Sequence, residues 1–265
     1  MALGTAEKAI DGNKDGNWVS SLSNTITQTG TKGAGAWWKL TFSEVYFIDS
    51  IVLWSRNKGF GVWLSGVSVK VGDVIIGTVN YQDGQQDYTF GELGALGKHI
   101  TIEANAIENH PVQLAEVEVF GGEVTMEAVN QEVMVGGEQR ELSCLVRGIS
   151  REMKITWAGW DSAESENFES ANGEYDTEGG QQTGMLVIQG AAINDDKTYT
   201  CILSSDKYQA SESLSTEVQL LTYSLQSVNQ RTFKGLETTL SCTVSGLTVA
   251  ATVVWTLSSE VGQVW

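Results

Sequence analysis

The sequence predicts an all-β protein, and three observations support this prediction. Short runs rich in β-branched and aromatic residues recur at residues 37–42, 51–54, 67–71, 99–102 and 115–120. Glycine, asparagine and aspartate separate these runs, as turn residues separate the strands of β-sandwiches and barrels. Apolar residues at helical spacing are almost absent from the chain.

Length and composition indicate a globular chain with more than one domain. The 265 residues suffice for two whole domains and a partial third. Hydrophobic residues make up 41% of the sequence and charged residues 18%, with 29 glycines and one proline. This balance is typical neither of a disordered chain nor of a coiled coil.

The net charge excludes two classes of partner. The sequence has 16 basic and 33 acidic residues, which gives a formal charge of −17. A field of that sign repels phosphate backbones and anionic lipids, so we expect no nucleic-acid binding and no direct membrane insertion. No apolar run approaches the roughly 20 residues that span a bilayer, and the N-terminus has no signal-peptide pattern.

Composition changes near residue 122, where the run at 115–120 closes with two glycines. The acidic excess is concentrated in residues 123–222, where cysteine first occurs. We therefore predict three units, residues 1–122, residues 123–222 and the start of a third over residues 223–265.

The second and third units contain an internal repeat. The segment LSCLVRG around Cys144 is echoed by LSCTVSG around Cys242, and in each copy a tryptophan follows the cysteine by 13 residues. In the first copy a second cysteine, Cys201, follows Tyr199 by two residues. This arrangement resembles the immunoglobulin fold, in which the tryptophan packs on a disulfide between facing sheets and the tyrosine anchors its hydroxyl to the backbone.

The resemblance implies a Cys144–Cys201 disulfide and an oxidising compartment. We therefore expect a protein that is secreted or lies on the extracellular face of the plasma membrane, with its leader already removed. The chain stops ten residues after the tryptophan of the third unit. We expect a fragment in which the partner of Cys242 is missing.

The acidic stretch 161–180 admits two interpretations. Its carboxylates are interspersed with serine and glycine and lack the ligand spacing of an EF-hand loop. We interpret it as a solvated loop at the edge of a sandwich, and a cation site or acidic docking surface is the alternative.

The first unit carries an ordered set of motifs. AIDGN, WWKL, LWSR, LSGVSVKVG and LAEVEVFG follow one another at residues 9–13, 37–40, 53–56, 64–72 and 114–121. Their order and spacing resemble the F-type lectins, or fucolectins, which are discoidin-like jelly rolls. The resemblance covers nearly all of residues 1–122 and implies a jelly-roll β-sandwich followed by immunoglobulin-like β-sandwiches.

A calcium site is predicted where the first of these motifs meets the last. Ca²⁺ prefers six to eight oxygen ligands, and an Asp–Gly–Asn turn offers carboxylate and carbonyl oxygens that a distant carboxylate can complete. The resemblance implies a structural calcium with these ligands: the side chains or backbone of Asp11, Asn13, Ser21 and Glu116 and the backbone of Lys8 and Ala115. The alternative is that Asp–Gly–Asn is only a turn, which these residues favour by themselves.

The predicted sugar site departs from the fucolectin pattern. Arg56 matches the first arginine of the family motif, but Lys58 stands in place of an aspartate. A glycine and Phe60 replace a pair of adjacent cysteines, and Trp63 replaces a second basic residue. These four residues are our candidate ligand contacts, because aromatic faces with a few donors hold a sugar ring, but fucose specificity is not expected. The alternative is that the aromatic side chains belong to the core.

No pattern predicts an enzyme. His99 and His110 lack the spacing of a metal pair or a catalytic dyad, and no Ser–His–Asp frame is recognisable.

Two functional hypotheses follow. The first is an extracellular, calcium-containing lectin that recognises a glycan or cell-surface glycoprotein in innate immunity or self/non-self recognition. The second is an adhesion or receptor ectodomain that has lost sugar binding and contacts protein partners, with the immunoglobulin-like domains contributing.

Overall fold

A computed structural model describes residues 4–17, 25–57, 59–105, 110–128, 134–135, 140–160, 168–189, 198–205, 207, 211–217, 220–221, 224–227 and 242–245. Within these residues the strands form five sheets, and the helices are two short 3₁₀ turns, Ala6–Ile10 and Phe60–Leu64. The all-β prediction is confirmed.

The first seven strands form one hydrogen-bonded sheet, which we call the first sandwich. They are β1 (Thr27–Gln28), β2 (Trp37–Ser55), β3 (Val67–Val71), β4 (Val74–Thr78), β5 (Asp87–Phe90), β6 (Ala95–Ala104) and β7 (Gln113–Glu123). Their order is β1-β7-β2-β6-β3-β4, and β5 also pairs with β2.

The long strand β2 explains how one sheet encloses a core. Its first part pairs with β6, the register shifts between Thr41 and Tyr46, and its second part pairs with β7 and β5. The sequence predicted separate strands at residues 37–42 and 51–54. A bulge bends a strand without ending it, so the chain continues through both runs as one element.

The core of the first sandwich joins the two parts of β2. Trp38 from the first part and Leu53 from the second belong to one buried cluster. Ile102 on β6, Val69 on β3 and Leu114 on β7 complete it from the neighbouring strands. The alternation of buried and exposed residues in these strands therefore fixes which side chains face outward.

The remaining strands form a second sandwich and two small pairs. They are β8 (Thr125–Ala128), β9 (Met134–Val135), β10 (Arg140–Arg147), β11 (Lys154–Ala158), β12 (Phe168–Asn172), β13 (Gln181–Ile188), β14 (Thr198–Ser204), β15 (Ser211–Glu217), β16 (Leu220–Leu221), β17 (Ser224–Ser227) and β18 (Cys242–Ser245). The second sandwich consists of the sheet β12-β13-β10-β8 and the sheet β11-β14-β15. β9 pairs with β16 in parallel, and β17 pairs antiparallel with β18.

A disulfide joins the two sheets of the second sandwich. Cys144 lies on β10 and Cys201 on β14, and they are bonded as the sequence predicted. Tyr199 is fully buried, and Trp157 lies opposite Cys201 in the strand register with 6% of its surface exposed. Trp255 of the predicted third unit lies outside the described residues.

Part of the acidic stretch is a strand, which corrects the loop prediction. Residues 168–172 form β12 at the edge of a sheet and pair with β13. Only Phe168 is buried there, and the residues that follow it are exposed. Charged residues on edge strands oppose sheet-to-sheet association, so the polar composition reflects an edge position. Residues 161–167 lie outside the described residues.

The two sandwiches meet without a long linker. β7 ends at Glu123 and β8 begins at Thr125, close to the predicted boundary. Phe47 of β2 belongs to the buried cluster of the second sandwich, where it joins Ile149 and Met153.

The part of the chain that the structure describes contains no helix long and apolar enough to cross a membrane.

Candidate functional site

The predicted sugar site lies where β2 ends. Gly59 adopts a left-handed conformation with φ of 77°, which glycine adopts without strain and most other residues adopt only at a cost in energy. The turn leads into the 3₁₀ helix Phe60–Leu64, which has three residues per turn. Phe60 and Trp63 are three residues apart and therefore project from the same side, with ring centroids 5.0 Å apart.

Arg56 packs against both aromatic rings. Its guanidinium carbon lies 3.9 Å from the centroid of Phe60 and 5.8 Å from that of Trp63. Its Nη1 donates a hydrogen bond to Oε1 of Gln113 at 3.2 Å. Burial lowers the pKa of Arg56, but a guanidinium stays charged at any physiological pH. The site therefore presents a fixed positive charge next to two aromatic rings.

A small polar cavity adjoins Arg56. Its volume is about 90 Å³, and its lining includes Asn57, Tyr81 and Asp83. The Oδ1 atom of Asn57 is buried and accepts no hydrogen bond from the described residues. A cavity of this size holds about three waters or the hydroxyl groups of a larger ligand.

His110 belongs to this site and was missed by the sequence analysis, which considered it only for metal and catalytic pairs. Its ring stacks on Trp63 with centroids 4.9 Å apart and an interplanar angle of 7°. Gln113, the first residue of β7, was missed as well. Both contacts join residues far apart in the sequence, and the one available signal was the position of His110 just before the last strand of the first sandwich.

The predicted calcium turn is built from successive side-chain turns. Oδ1 of Asp11, Asn13 and Asp15 each accepts the backbone N–H two residues later at 3.0 Å. Asp and Asn favour such turns because their short side chains reach the backbone nearby. The other oxygen of Asp11 accepts a hydrogen bond from Nζ of Lys8 at 3.0 Å, and this bond lowers the pKa of Asp11.

Glu116 joins this turn to β7. Its Oε2 accepts a hydrogen bond from the backbone N–H of Gly12 at 3.0 Å, and only 5% of the residue is exposed. Burial raises the pKa of Glu116, and the nearby carboxylates of Asp11 and Glu118 add to the effect. Among the described residues no cation pairs with it. A buried carboxylate without a cationic partner is costly, and either protonation or a bound positive charge removes that cost.

A second acid holds the same turn through different contacts. Glu118 pairs with Nζ of Lys14 at 2.8 Å and accepts the indole N–H of Trp54 at 2.9 Å. These bonds, that of Lys14 first, lower the pKa of Glu118. Glu118 therefore has a cationic partner, whereas Glu116 has a backbone N–H donor but no cation among the described residues.

The chain has relatives among known proteins. No family model matches the chain. Fucolectin-4 of Anguilla japonica is 30% identical over 130 residues, which cover 44% of this chain and 68% of that protein. The chain belongs to the fucolectin family. Fucolectin-3 of the same organism is 29% identical over 125 residues, covering 43% of this chain and 65% of that protein.

Membership in the fucolectin family accounts for the first sandwich as a jelly roll and is consistent with a protein that is not an enzyme. It also supports a lectin domain and, with the disulfide, an extracellular location. The chain spans about two thirds of the length of each of these two fucolectins.

Two predicted residues of the fucolectin site, Lys58 and Ser21, lie outside the described residues. The structure brings Arg56, Phe60 and Trp63 together. It also brings the Asp11 turn against Glu116, while Ala115 is fully buried beside it. Among the described residues no group of three or more histidines, cysteines, aspartates or glutamates is placed to hold a metal ion.

Proposed function

We propose that the first sandwich is a calcium-stabilised lectin domain that binds a glycan other than simple fucose. The observation that carries this proposal is the Arg56 site. A charged guanidinium, two aromatic rings and a polar cavity converge there at the surface of a chain that belongs to the fucolectin family. Sugar sites combine an aromatic surface with a few placed polar groups in the same way.

The polar groups suggest how a glycan is held. Arg56 and Asp83 both line the cavity, so a sugar hydroxyl there accepts a hydrogen bond from Arg56 and donates one to the carboxylate of Asp83. Phe60 is 36% exposed, and its exposed edge borders the bound sugar ring. Lys58 is the further donor in this proposal. The departures from the fucolectin motif at residues 58, 60 and 63 are the reason why we do not extend fucose specificity to this chain.

The calcium proposal rests on Glu116. A divalent cation supplies the positive charge that this buried carboxylate lacks among the described residues. The ligands we propose are the side chains or backbone of Asp11, Asn13, Ser21 and Glu116 and the backbone oxygens of Lys8 and Ala115. These residues join the N-terminal turn to β7, so the ion stabilises the domain and takes no part in sugar contact.

We extend the proposal to the rest of the chain. Residues 1–122 form the lectin domain, residues 123–222 an immunoglobulin-like domain and residues 223–265 the start of another. The two-sheet arrangement bridged by Cys144–Cys201, with Trp157 beside Cys201 and Tyr199 buried, supports the middle assignment. The protein then acts outside the cell, in innate immunity or self/non-self recognition.

One observation favours a second function. Phe60 and Trp63 already have partners, since Arg56 lies over the first ring and His110 stacks on the second. These contacts cover one face of each ring, which is the face that a sugar would otherwise stack on. In this alternative the chain is an adhesion or receptor ectodomain that recognises protein partners.

A glycan array tests the choice between these functions. The full chain, displayed multivalently because single sugar sites are weak, is applied in calcium, after chelation, and in calcium with free L-fucose. We expect binding that chelation weakens and L-fucose does not displace. A blank array contradicts the lectin proposal and favours the ectodomain, and displacement by L-fucose contradicts the proposed specificity.

A further inference from the structure

A groove crosses the outer face of the first sandwich, away from the Arg56 site. Three neighbouring strands, β2, β6 and β3, align their outward side chains in register. Trp37 lies opposite Glu103, and Thr101 lies between Lys39 and Lys70. The groove has a volume of about 520 Å³.

The alternation of the strands shows that these side chains belong to the outer face. Trp38 on β2 and Ile100 and Ile102 on β6 are buried in the core. Their neighbours along each strand point the other way. Trp37 is 58% exposed, which makes it the most exposed large hydrophobic side chain in the described part of the chain.

We propose that this groove is a second saccharide site, which binds a neutral oligosaccharide with Trp37 as its stacking platform. An indole in water keeps a wide apolar face uncovered, and the apolar face of a pyranose ring covers such a surface. Hydroxyl groups at the rim of the ring need donors and acceptors. Thr101, Lys39 and Glu103 lie beside the indole and supply both kinds.

The charges of the groove select a neutral ligand. Lys39 and Lys70 contribute two positive charges, and Asp73 and Glu103 contribute two negative ones. The groove is therefore balanced, in contrast to the −17 of the whole chain. An acidic glycan gains little from a balanced groove and is repelled by the surrounding field. A hydroxylated ligand without charge matches it.

An ion pair holds part of the groove in shape before a ligand arrives. Nζ of Lys70 lies 2.5 Å from Oε2 of Glu103, across the β3–β6 pair. Both side chains are partly buried, so their positions are restricted. Groups fixed in this way lose less conformational entropy on binding than free surface side chains.

The extent of the groove favours an oligosaccharide over a single sugar. Three adjacent strands span about 10 Å across the sheet. The groove is also remote along the strand from the Arg56 site, because Trp37 begins β2 and Arg56 follows its last residue. A chain of several sugar units thus has room on this face without reaching the other site.

Glycan binding by variants of the full chain tests this proposal. The probes are the neutral hexasaccharides of glucose, mannose and N-acetylglucosamine, with sulfated and sialylated oligosaccharides alongside them. We expect Trp37→Ala to weaken binding of at least one neutral hexasaccharide by about tenfold or more, and Trp37→Phe to restore part of it. The control Phe120→Ala removes another exposed aromatic side chain, 50% open to solvent, and should leave binding unchanged.

The same panel separates this site from the proposed lectin site. We expect Arg56→Ala to leave hexasaccharide binding through the groove intact, even where it weakens binding of glycans at the Arg56 site. Unchanged melting temperature of Trp37→Ala shows that the variant is folded. Binding of no neutral hexasaccharide, binding of acidic probes only, full affinity in Trp37→Ala, or equal loss in Arg56→Ala would each overturn the proposal.

Discussion

Glu116 and Glu118 lie two residues apart on β7 but differ in the groups that surround their carboxylates. The carboxylate of Glu116 is removed from water, receives one backbone N–H from Gly12, and pairs with no described cation. Glu118, two residues along the same strand, has Lys14 and Trp54 as partners. The two acids therefore differ in the direction of their pKa shifts, raised for Glu116 and lowered for Glu118.

The raised pKa of Glu116 leads to a prediction about pH. An acid whose pKa is higher in the folded state destabilises the fold once it ionises, so the cost is absent below the ordinary value of 4.5 and develops as pH rises through the folded value. In chelator, between about pH 4 and pH 7, wild type should therefore lose more stability than Glu116→Gln. Thermal unfolding at several pH values measures this difference.

Calcium should stabilise wild type more than Glu116→Gln. Added ion is expected to raise the melting temperature of wild type near neutral pH and to have little effect on Glu116→Gln, which keeps an oxygen for the Gly12 bond but loses the charge. An equal rise in both proteins, or none in either, would contradict the assignment of Glu116 as a ligand.

The Arg56 site shows where sequence reasoning at single residues succeeds and fails. Arg56, Phe60 and Trp63 lie within eight residues of one another along the chain, so their proximity could be expected from local spacing. His110 could not be found in this way, since its stacking on Trp63 depends on how β7 is placed in the sheet. Long-range contacts of this kind have no local pattern.

The 3₁₀ helix Phe60–Leu64 depends on the glycine before it. Gly59 has φ of 77°, and a Cβ there would meet no atom within 4 Å. Gly59→Ala should therefore act through backbone strain alone and cost about 1–2 kcal/mol in unfolding free energy. Chemical denaturation measures this cost, and the same variant should bind glycan less well because Phe60 and Trp63 shift.

Gly91→Ala is the matched control. Its added Cβ also meets nothing within 4 Å, and its φ is not in the left-handed region. Equal stability of the two alanine variants would show that the helix does not depend on the conformation of Gly59.

Strands were predicted better than their ends. The alternating runs in β2 were recognised, but the bulge between Thr41 and Tyr46 was not, because it is set by pairing with β6. The strand β12 was missed because edge strands carry the polar side chains that loops also carry. The disulfide was predicted correctly because its cysteine, tryptophan and tyrosine offsets act together.

Side chains of the first sandwich are buried in the core of the second. Val45, Phe47 and Leu96 of the first belong to the core cluster of the second. Arg151 adds an ion pair with Asp49 at 2.5 Å across the same boundary. Sequence patterns placed Phe47 in neither core, since the run at 51–54 was the recognised strand. We expect the sandwiches to stabilise each other.

Truncating Phe47 tests this coupling. Phe47→Ala removes a fully buried ring and should cost about 3–5 kcal/mol. Hydrogen exchange followed by mass spectrometry should show faster exchange both in β2 and in β10 and β11 of the second sandwich. Leu53→Ala, which leaves a cavity in the core of the first sandwich only, should accelerate exchange mainly in that sandwich. Unchanged exchange in β10 and β11 of Phe47→Ala would contradict the coupling.

The proposal that this fucolectin relative binds a glycan through Arg56 is tested most directly by calorimetric titration. The full chain in calcium is titrated with the strongest array ligand whose binding Trp37→Ala leaves unchanged, so that the groove at Trp37 does not contribute. We predict that Arg56→Ala weakens this binding by about tenfold or more, because a charged donor to a sugar hydroxyl is lost, while Arg147→Ala, a surface arginine of the second sandwich, has no effect. Full affinity in Arg56→Ala would contradict the proposal and move the glycan to another part of the molecule.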